Sequence, residues 1–588
     1  VTVAASFSAT LVDEWVRAGL TDAVVAPGSR STPLVVALAR ESRMALHVRL
    51  DERSAAFFAL GIGLATSRPA VLVTTSGTAA VGVHAAVVEA HLSRVPLIVC
   101  TADRPPELHH VGAPQTIEQS VLFGGALRWA VDPGVPDEEA RSSWRSLASR
   151  LVAEATAGPM GPGPVHANLS FRDPLLGTPG ELPPGRRNGR PWHRVEPVQR
   201  VLDPGSLAAL ARPAAKGLIV AGAGAGRPET IRRLASTLGW PVLADPRSGA
   251  RIPGEPGSPT IAAADALLRV ESFAGAHVPE VVLRLGQPWA SKVVGEWLSS
   301  CSGSGAVQVL VDPHWAWQDP RREVDVVLAA DPDHVMEALM GRVPEAGAPG
   351  RSAWAAPPTW SEGWAEAEAA AQHAIESTLR RHAEATEPAT ARAVYAWAPP
   401  SSTVVASSSM PVRDLEWFAA PRPDPPRVLA NRGANGIDGV TSTTLGVAAA
   451  AGGAGGPVVG LIGDLAFLHD STALVRGRRE PALAAVLVVI DNGGGGIFSF
   501  LPQASELDEA YFERLFGTPQ RIDVADLART AGCETTEVTS REEVPSRLDE
   551  ALYNAARHGP AVVVVRSDRK ANVALHTELE AEVALALG

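Results

Sequence analysis

Two stretches decide the fold: VVGLIGDL at residues 458–465 and VLVVIDNGGGGI at residues 486–497. Each opens with a β-branched apolar run too short for a helix and lacking polar alternation. This is how a strand buried on both faces of a parallel sheet reads. Each then ends on an oxygen-bearing side chain and glycine. In open parallel sheets, ligands sit at the carboxyl ends of the strands. Asp464, Asn492 and the backbone carbonyl of Gly494 therefore form a hard-oxygen set suited to Mg²⁺, with Mn²⁺ not separable from it. Such a site completes its octahedron with phosphate oxygens and water. The run 493–496 is all glycine, which lets backbone approach a diphosphate closely. The competing reading is that both are ordinary strand-end turns.

Outward from this pair the chain alternates strand-like and helix-like segments. Helical patterns are expected at 6–19, 34–40, 53–66 and from 78 to about 91, and strands at 23–26, 46–50, 70–74 and 96–101. Further strands are expected at 404–407, 428–430, 458–462, 485–490 and 561–565, and a helix over 578–588. The alternation predicts an α/β fold of three doubly wound parallel-sheet domains. Pro/Gly/Arg-rich DPLLGTPGELPPGRRNGRPWHRVEPVQR at 173–200 and a Pro/Gly/Ala stretch at 343–359 read as linkers. Domains are thus expected at 1–180, 200–345 and 361–588, with linkers near 181–199 and 346–360.

With 588 residues, 46% hydrophobic and 20% charged, the chain has material for several cores. A net charge of −12 disfavours nucleic acid as a partner. The cysteines Cys100, Cys301 and Cys533 are odd in number and far apart, which argues against a disulfide framework or a cysteine-rich zinc site and suits a reducing cytoplasm. A basic, apolar leader is not expected at the first residues, nor an apolar run long enough to span a membrane. GAGAG at 222–226 follows a strand, but its spacing is not the GxGxxG of a dinucleotide fingerprint.

A second motif lies at the other end of the chain. RLDERSAA at 49–56 puts Glu52 where a strand gives way to a helix. Read alone, it is either a first-turn glutamate favoured by the helix dipole or a catalytic acid–base. Together with Asp464 and Asn492, which 27 residues separate, it matches thiamine-diphosphate (ThDP) enzymes, whose motif runs Gly-Asp-Gly to Asn-Asn. Leu465 and Asp491 depart from that motif, but neither is the presumed ligand. The blocks APGSRSTPL (26–34), HVRLDERSAAFF (47–58), TADRPPEL (101–108), SSMPVR (408–413), NRGANGIDG (431–439) and IFSFLP (497–502) carry a narrower likeness. On them the chain resembles the 2-succinyl-5-enolpyruvyl-6-hydroxy-3-cyclohexene-1-carboxylate (SEPHCHC) synthases of menaquinone biosynthesis, over nearly its whole length.

The resemblance implies decarboxylation of 2-oxoglutarate and 1,4-addition of the four-carbon unit to isochorismate, in a homodimer or homotetramer with the active site at a subunit interface. It assigns Glu52 to the aminopyrimidine ring and Ser76 and Gly77 to the loop beside it. Ile437 is the apolar support under the cofactor, and Ser409, Asp464, Leu465, Asn492, Gly494, Ile497 and Phe498 complete the cofactor site. Ser409, Arg413 and Arg432 fall to the succinyl side, with Phe498 and Leu501 lining the pocket. Ser29, Arg30, Arg104, Gln115 and Lys292 fall to isochorismate. Two positions depart from the family near that acceptor: Pro114, where Asn is common, and Val293, where some members carry Arg. Both substrates are dianions, so several fixed guanidinium groups are what the chemistry requires, although a single arginine is more often a solvated charge. The rivals are another ThDP-dependent 2-oxo acid decarboxylase or synthase, a non-catalytic regulatory subunit of this fold, and a nucleotide-dependent oxidoreductase.

Overall fold

A computed structural model describes residues 1–196, 202–344, 350–451 and 456–588. Eighteen strands form three six-stranded sheets, parallel throughout. The first sheet holds β1 (Asp22–Val25), β2 (Ala45–Val48), β3 (Ala70–Thr74), β4 (Leu97–Asp103), β5 (Trp129–Val131) and β6 (Pro164–Ser170). The second holds β7 (Gly217–Ala221), β8 (Val242–Ala244), β9 (Thr260–Ile261), β10 (Val281–Leu285), β11 (Val307–Val311) and β12 (Val326–Leu328). The third holds β13 (Thr403–Ala406), β14 (Arg427–Ala430), β15 (Val458–Gly463), β16 (Val486–Asp491), β17 (Glu534–Val538) and β18 (Ala561–Arg566).

The first sheet runs β2-β1-β3-β4-β6-β5 and the third β14-β13-β15-β16-β18-β17, the same order repeated. The middle sheet runs β12-β11-β10-β7-β8-β9, the order of dinucleotide-binding folds. The opening of its GAGAG turn, however, is packed by protein. Gly222 N donates to Leu285 O (2.9 Å) and Gln287 N to Ala223 O (2.8 Å), and a Cβ on Gly222 would lie 1.7 Å from Gln287 O. Gly222 and Gly286 permit close packing of the two loops, while Gly224 faces open space.

The expected strands form, with ends shifted by one or two residues. Two differences have physical causes. β17 escapes sequence reading because it is a largely exposed edge strand of Glu and Thr. The helix Pro358–Arg381 opens inside the stretch 346–360 expected to be a linker, of which 346–349 lie outside the described residues, as do 197–199 of the first linker. Its first turns belong to a core: Trp360 and Trp364 are buried in the middle cluster, and Trp360 Nε1 donates to Gly217 O (2.9 Å).

The outer two units interlock through one helix from each. Glu52–Thr66 follows β2, and Val440–Ala451 follows β14, equivalent positions in the repeated topology. They cross at glycine: a Cβ on Gly61 would sit 2.2 Å from Thr443 O, and one on Gly446 2.0 Å from Phe58 O. Backbone-to-backbone approach this close admits no side chain.

Candidate active site

In a sheet of order 2-1-3, neighbouring strands send their connections to opposite faces, leaving a crevice between strands 1 and 3. In the first sheet that crevice lies between β1 and β3. Arg30 is buried, with N–H donating to Thr75 Oγ1 (3.3 Å) and Nη1 to Phe171 O (2.9 Å) beyond β6, and with Asp173 at 3.4 Å. Ser29 precedes it, exposed. Arg104, beyond β4, donates from Nε to Pro114 O (3.2 Å); burial and then the nearby Arg30 push its guanidinium below the usual range. Gln115, at φ 51°, lies against Gly77, at φ 81°, with its Cα 3.2 Å from where a Cβ on Gly77 would be. Ser76 Oγ is buried without a hydrogen-bond partner among the described residues. Glu52 opens its helix behind Asp51, which caps Ser54 N (2.9 Å), and its Cβ is 3.3 Å from the Cβ position of Gly82. The structure therefore gathers Ser29, Arg30, Glu52, Ser76, Gly77, Arg104 and Gln115 at one end of one sheet. Lys292 stands apart, 82% exposed, beyond β10 and 3.3 Å from Glu296; no hydrogen bond or ion pair among the described residues joins it to that group.

The equivalent crevice of the third sheet lies between β13 and β15. Ser409, at φ 74°, ends the turn after β13, and its carbonyl accepts from Arg413 Nη1 (2.6 Å) one turn into the helix Met410–Phe418. Arg432 follows β14. Burial, then the positive charges of Arg247 and Arg413, hold Arg432 down to about 10, and burial also lowers Arg413. Among the described residues neither arginine forms an ion pair. Two half-buried, unpaired cations near each other are costly unless an anion joins them.

Pairing of Gly463 with Ile490 sets Asp464 beside Asp491 and Asn492. Asp464 Oδ2 accepts from Gly494 N (2.7 Å) and Oδ1 from Leu465 N (2.6 Å); burial pushes its carboxyl up to about 7. Leu465 thus serves through its backbone, which explains why a side chain is tolerated there. Asp491 pairs with Arg566, and its neighbouring charge adds to the raising of Asp464. Gly494 needs to be glycine: φ is 137° and a Cβ would lie 1.9 Å from Gly517 O. Asn492 Oδ1 is buried with no hydrogen-bond partner among the described residues. A carboxylate, an orphaned amide oxygen and a backbone carbonyl fit a hard divalent cation that takes its other ligands from a diphosphate. Among the described residues no cluster of three His, Cys, Asp or Glu side chains offers a rival metal site. Ile437 is half-buried against the cluster holding Ile462 and Phe467. Ile497 and Phe498 are half-buried, Phe498 against Phe516 (centroids 5.5 Å), and Leu501 is 40% exposed.

Three family models match in series. They are the N-terminal TPP binding domain of thiamine pyrophosphate enzymes over residues 5–122, the middle domain of thiamine pyrophosphate over 186–404, and the C-terminal TPP binding domain over 417–565. The SEPHCHC synthase of Chloroflexus aurantiacus is 40% identical over 95% of this chain and 92% of its own length. That of Thermobifida fusca is 41% identical over 98% of each. The chain belongs to the SEPHCHC synthase family. A benzoylformate decarboxylase structure from Polynucleobacter necessarius superposes with a TM-score of 0.70 at 17% identity, covering 96% of this chain and 98% of that one, and so shares the fold. The chain is accordingly a ThDP-dependent enzyme.

Several residues that position this SEPHCHC synthase-family site are invisible in the sequence. Buried Gln119 donates to Ala102 O (3.1 Å) and accepts from Gly77 N (2.7 Å), pinning the Ser76–Gly77 turn to β4. Glu89, from the first unit, accepts from Gly433 N (2.8 Å) and Ala434 N (2.7 Å), anchoring the loop between Arg432 and Ile437. Glu416, one turn beyond Arg413, accepts from Ala290 N and Ser291 N (2.7 Å each), immediately before Lys292. Fully buried Arg251 donates to the carbonyls of Leu415, Glu416 and Ala419, closing the end of the Arg413 helix. Each is a polar residue 17 to 345 positions from its partners, a distance no local pattern encodes.

Proposed function

We propose that this protein decarboxylates 2-oxoglutarate and adds the remaining four-carbon unit in a 1,4 sense to isochorismate, forming 2-succinyl-5-enolpyruvyl-6-hydroxy-3-cyclohexene-1-carboxylate for menaquinone biosynthesis. The carrying observation is the pair Arg413 and Arg432: half-buried, with the charge of Arg413 helping to depress Arg432, and neither in an ion pair among the described residues. They would take the distal carboxylate of 2-oxoglutarate, with Ser409 beside them. A donor with an apolar distal end, such as benzoylformate, would bring them no distal carboxylate. Ser29, Arg30, Arg104 and Gln115 would take isochorismate, joined by Lys292. Bound ThDP supplies the electron sink that makes loss of CO₂ from a 2-oxo acid feasible. Glu52 would hold a proton at the aminopyrimidine ring nitrogen, with Ser76 and Gly77 alongside the ring. Asp464, Asn492 and the Gly494 carbonyl would hold Mg²⁺, or Mn²⁺, against the diphosphate. Phe498 and Leu501 would keep water from the reacting carbon while the arginines fix orientation.

The same reading makes the enzyme a homodimer or homotetramer whose active site spans two subunits. The helix that Glu52 opens reaches the third unit around residues 469–472, through Arg53 to His469 O (2.6 Å) and Ser54 to Asp470 (3.2 Å). No hydrogen bond or ion pair among the described residues links Glu52, Ser76 or Gly77 to Asp464, Asn492 or Ile437. Leu50 (69% exposed) and Val81 (44%) present apolar surface beside Glu52, as a face awaiting a second copy would. No helix among the described residues is long and apolar enough to cross a membrane. We place the enzyme in the cytoplasm, in keeping with three unpaired cysteines.

The test is to incubate purified protein with ThDP, Mg²⁺, 2-oxoglutarate and isochorismate and to weigh the product. Consumption of isochorismate that needs every component, with a product heavier by one succinyl semialdehyde unit, is expected. Decarboxylation with isochorismate untouched would overturn the acceptor, with Pro114 the first position to revert. Turnover of pyruvate or benzoylformate in place of 2-oxoglutarate would overturn the donor.

A further inference from the structure

Glu387 opens the helix Glu387–Trp397 behind Thr386, whose side chain caps Ala389 N. It is only 2% exposed, and no motif of the sequence points to it. Its Oε1 accepts from Asn492 Nδ2 (2.9 Å) and lies 3.4 Å from Ser567 Oγ, just past the end of β18. A carboxyl group buried this deeply is costly unless its position has a use.

A primary amide has two chemically opposite ends, and only the oxygen can ligate a cation. Rotating the Asn492 amide by half a turn would present NH₂ to the cation. Nothing in the strand end itself prevents that rotation. Glu387 does, as long as Oε1 carries no proton: turned over, the amide would set Oδ1 against Oε1, acceptor against acceptor. With Nδ2 held at the back, Oδ1 is left buried and unpartnered among the described residues on the remaining side. Gly496 tightens the arrangement, since a Cβ there would lie 2.6 Å from Nδ2. We propose that Glu387 is a positioning residue that fixes the oxygen of Asn492 toward the divalent cation. The proposal rests on the ThDP–metal reading above.

The measurement is calorimetric titration of ThDP into the full-length apo protein across a series of Mg²⁺ concentrations, with no substrate present. E387Q keeps an acceptor for Nδ2 and is expected to bind within about threefold of the unaltered protein. E387L has none and is expected to lose about 10- to 100-fold in apparent Mg²⁺ affinity, with circular dichroism unchanged. An independent arm does not require E387L to fold. N492D has no wrong end but sets two carboxyl groups together, so E387Q is expected to tighten Mg²⁺ binding at least about threefold in the N492D background. Equal affinities for E387L and the unaltered protein overturn the proposal. So does an E387Q that falls as far as E387L, or an E387Q/N492D no better than N492D. Failure of the unaltered protein to take up ThDP at any Mg²⁺ concentration would instead bring down the cofactor reading itself, and this proposal with it.

Discussion

Arg413 and Arg432 stand where a strand end meets a helix or loop, and in the proposed function an incoming dianion would offset the cost of their half-burial. Removing one charge-assisted bond to a carboxylate is worth about 1.5–3 kcal/mol. R413A is therefore expected to lower kcat/KM for 2-oxoglutarate roughly 10- to 150-fold, with the melting temperature held. Steady-state kinetics with 2-oxoglutarate varied at saturating isochorismate reads this; an unchanged KM and kcat would remove Arg413 from the donor pocket. Glu52 is tested by exchange of one atom. E52Q retains the side-chain shape and the helix start, since Asp51 supplies the cap. Turnover is expected to fall at least about 100-fold while far-ultraviolet circular dichroism stays the same.

Helices Glu52–Thr66 and Val440–Ala451 act at the next scale as the seam between the two outer units. Glycine at the crossing sets the separation of their axes, and through it the placement of Glu52 at one end and of the 431–439 loop that leads into the second helix. G446A would force a methyl group into Phe58 O, at a Cβ distance of 2.0 Å. The expected result is a loss of about 1–3 kcal/mol in stability, read by denaturant titration, together with weaker ThDP binding. The helix Met410–Phe418 has a parallel role toward the middle unit. Glu416 and Arg251 lock both of its sides to residues 244–291, so Arg413 is aimed by the middle unit as well as by its own sheet.

Across the whole molecule, the repeat of one strand order in the first and third sheets gives two crevices of the same kind, one with Glu52 and one with Asp464. If each crevice works with its opposite number on a second copy, two individually dead variants should complement. A mixture of E52Q and D464A subunits, unfolded and reassembled together, would form mixed dimers with one site made of two intact halves. About a quarter of the unaltered activity is expected to return. No recovery, with mixed assembly verified by mass, would place both halves of the site within one chain. Light scattering on the unaltered protein is expected to give twice or four times the chain mass.

The sequence by itself determined the sheet type and the existence of three α/β units, and it supplied the two halves of the proposed cofactor site. These are local properties. Buried parallel strands must be continuous apolar runs, and a strand end that binds a cation or phosphate needs short oxygen side chains and glycine within a few residues. Val458–Gly463 and Val486–Asp491 carry that information whole. Only the tertiary structure decided that the opening of GAGAG, at Gly222 and Ala223, packs against residues 285–287. It also decided that the helix opening at Pro358 joins the middle core, and which distant partners Gln119, Glu89, Glu416 and Glu387 hydrogen-bond around the candidate site. Each of those outcomes depends on what a polar or glycine residue meets after the chain returns from far away. A lone glutamate or glutamine reads the same on the surface as in a buried hydrogen bond. Its cost or benefit is fixed by desolvation and by the partner that packing brings to it, and neither is present in the chain before it folds.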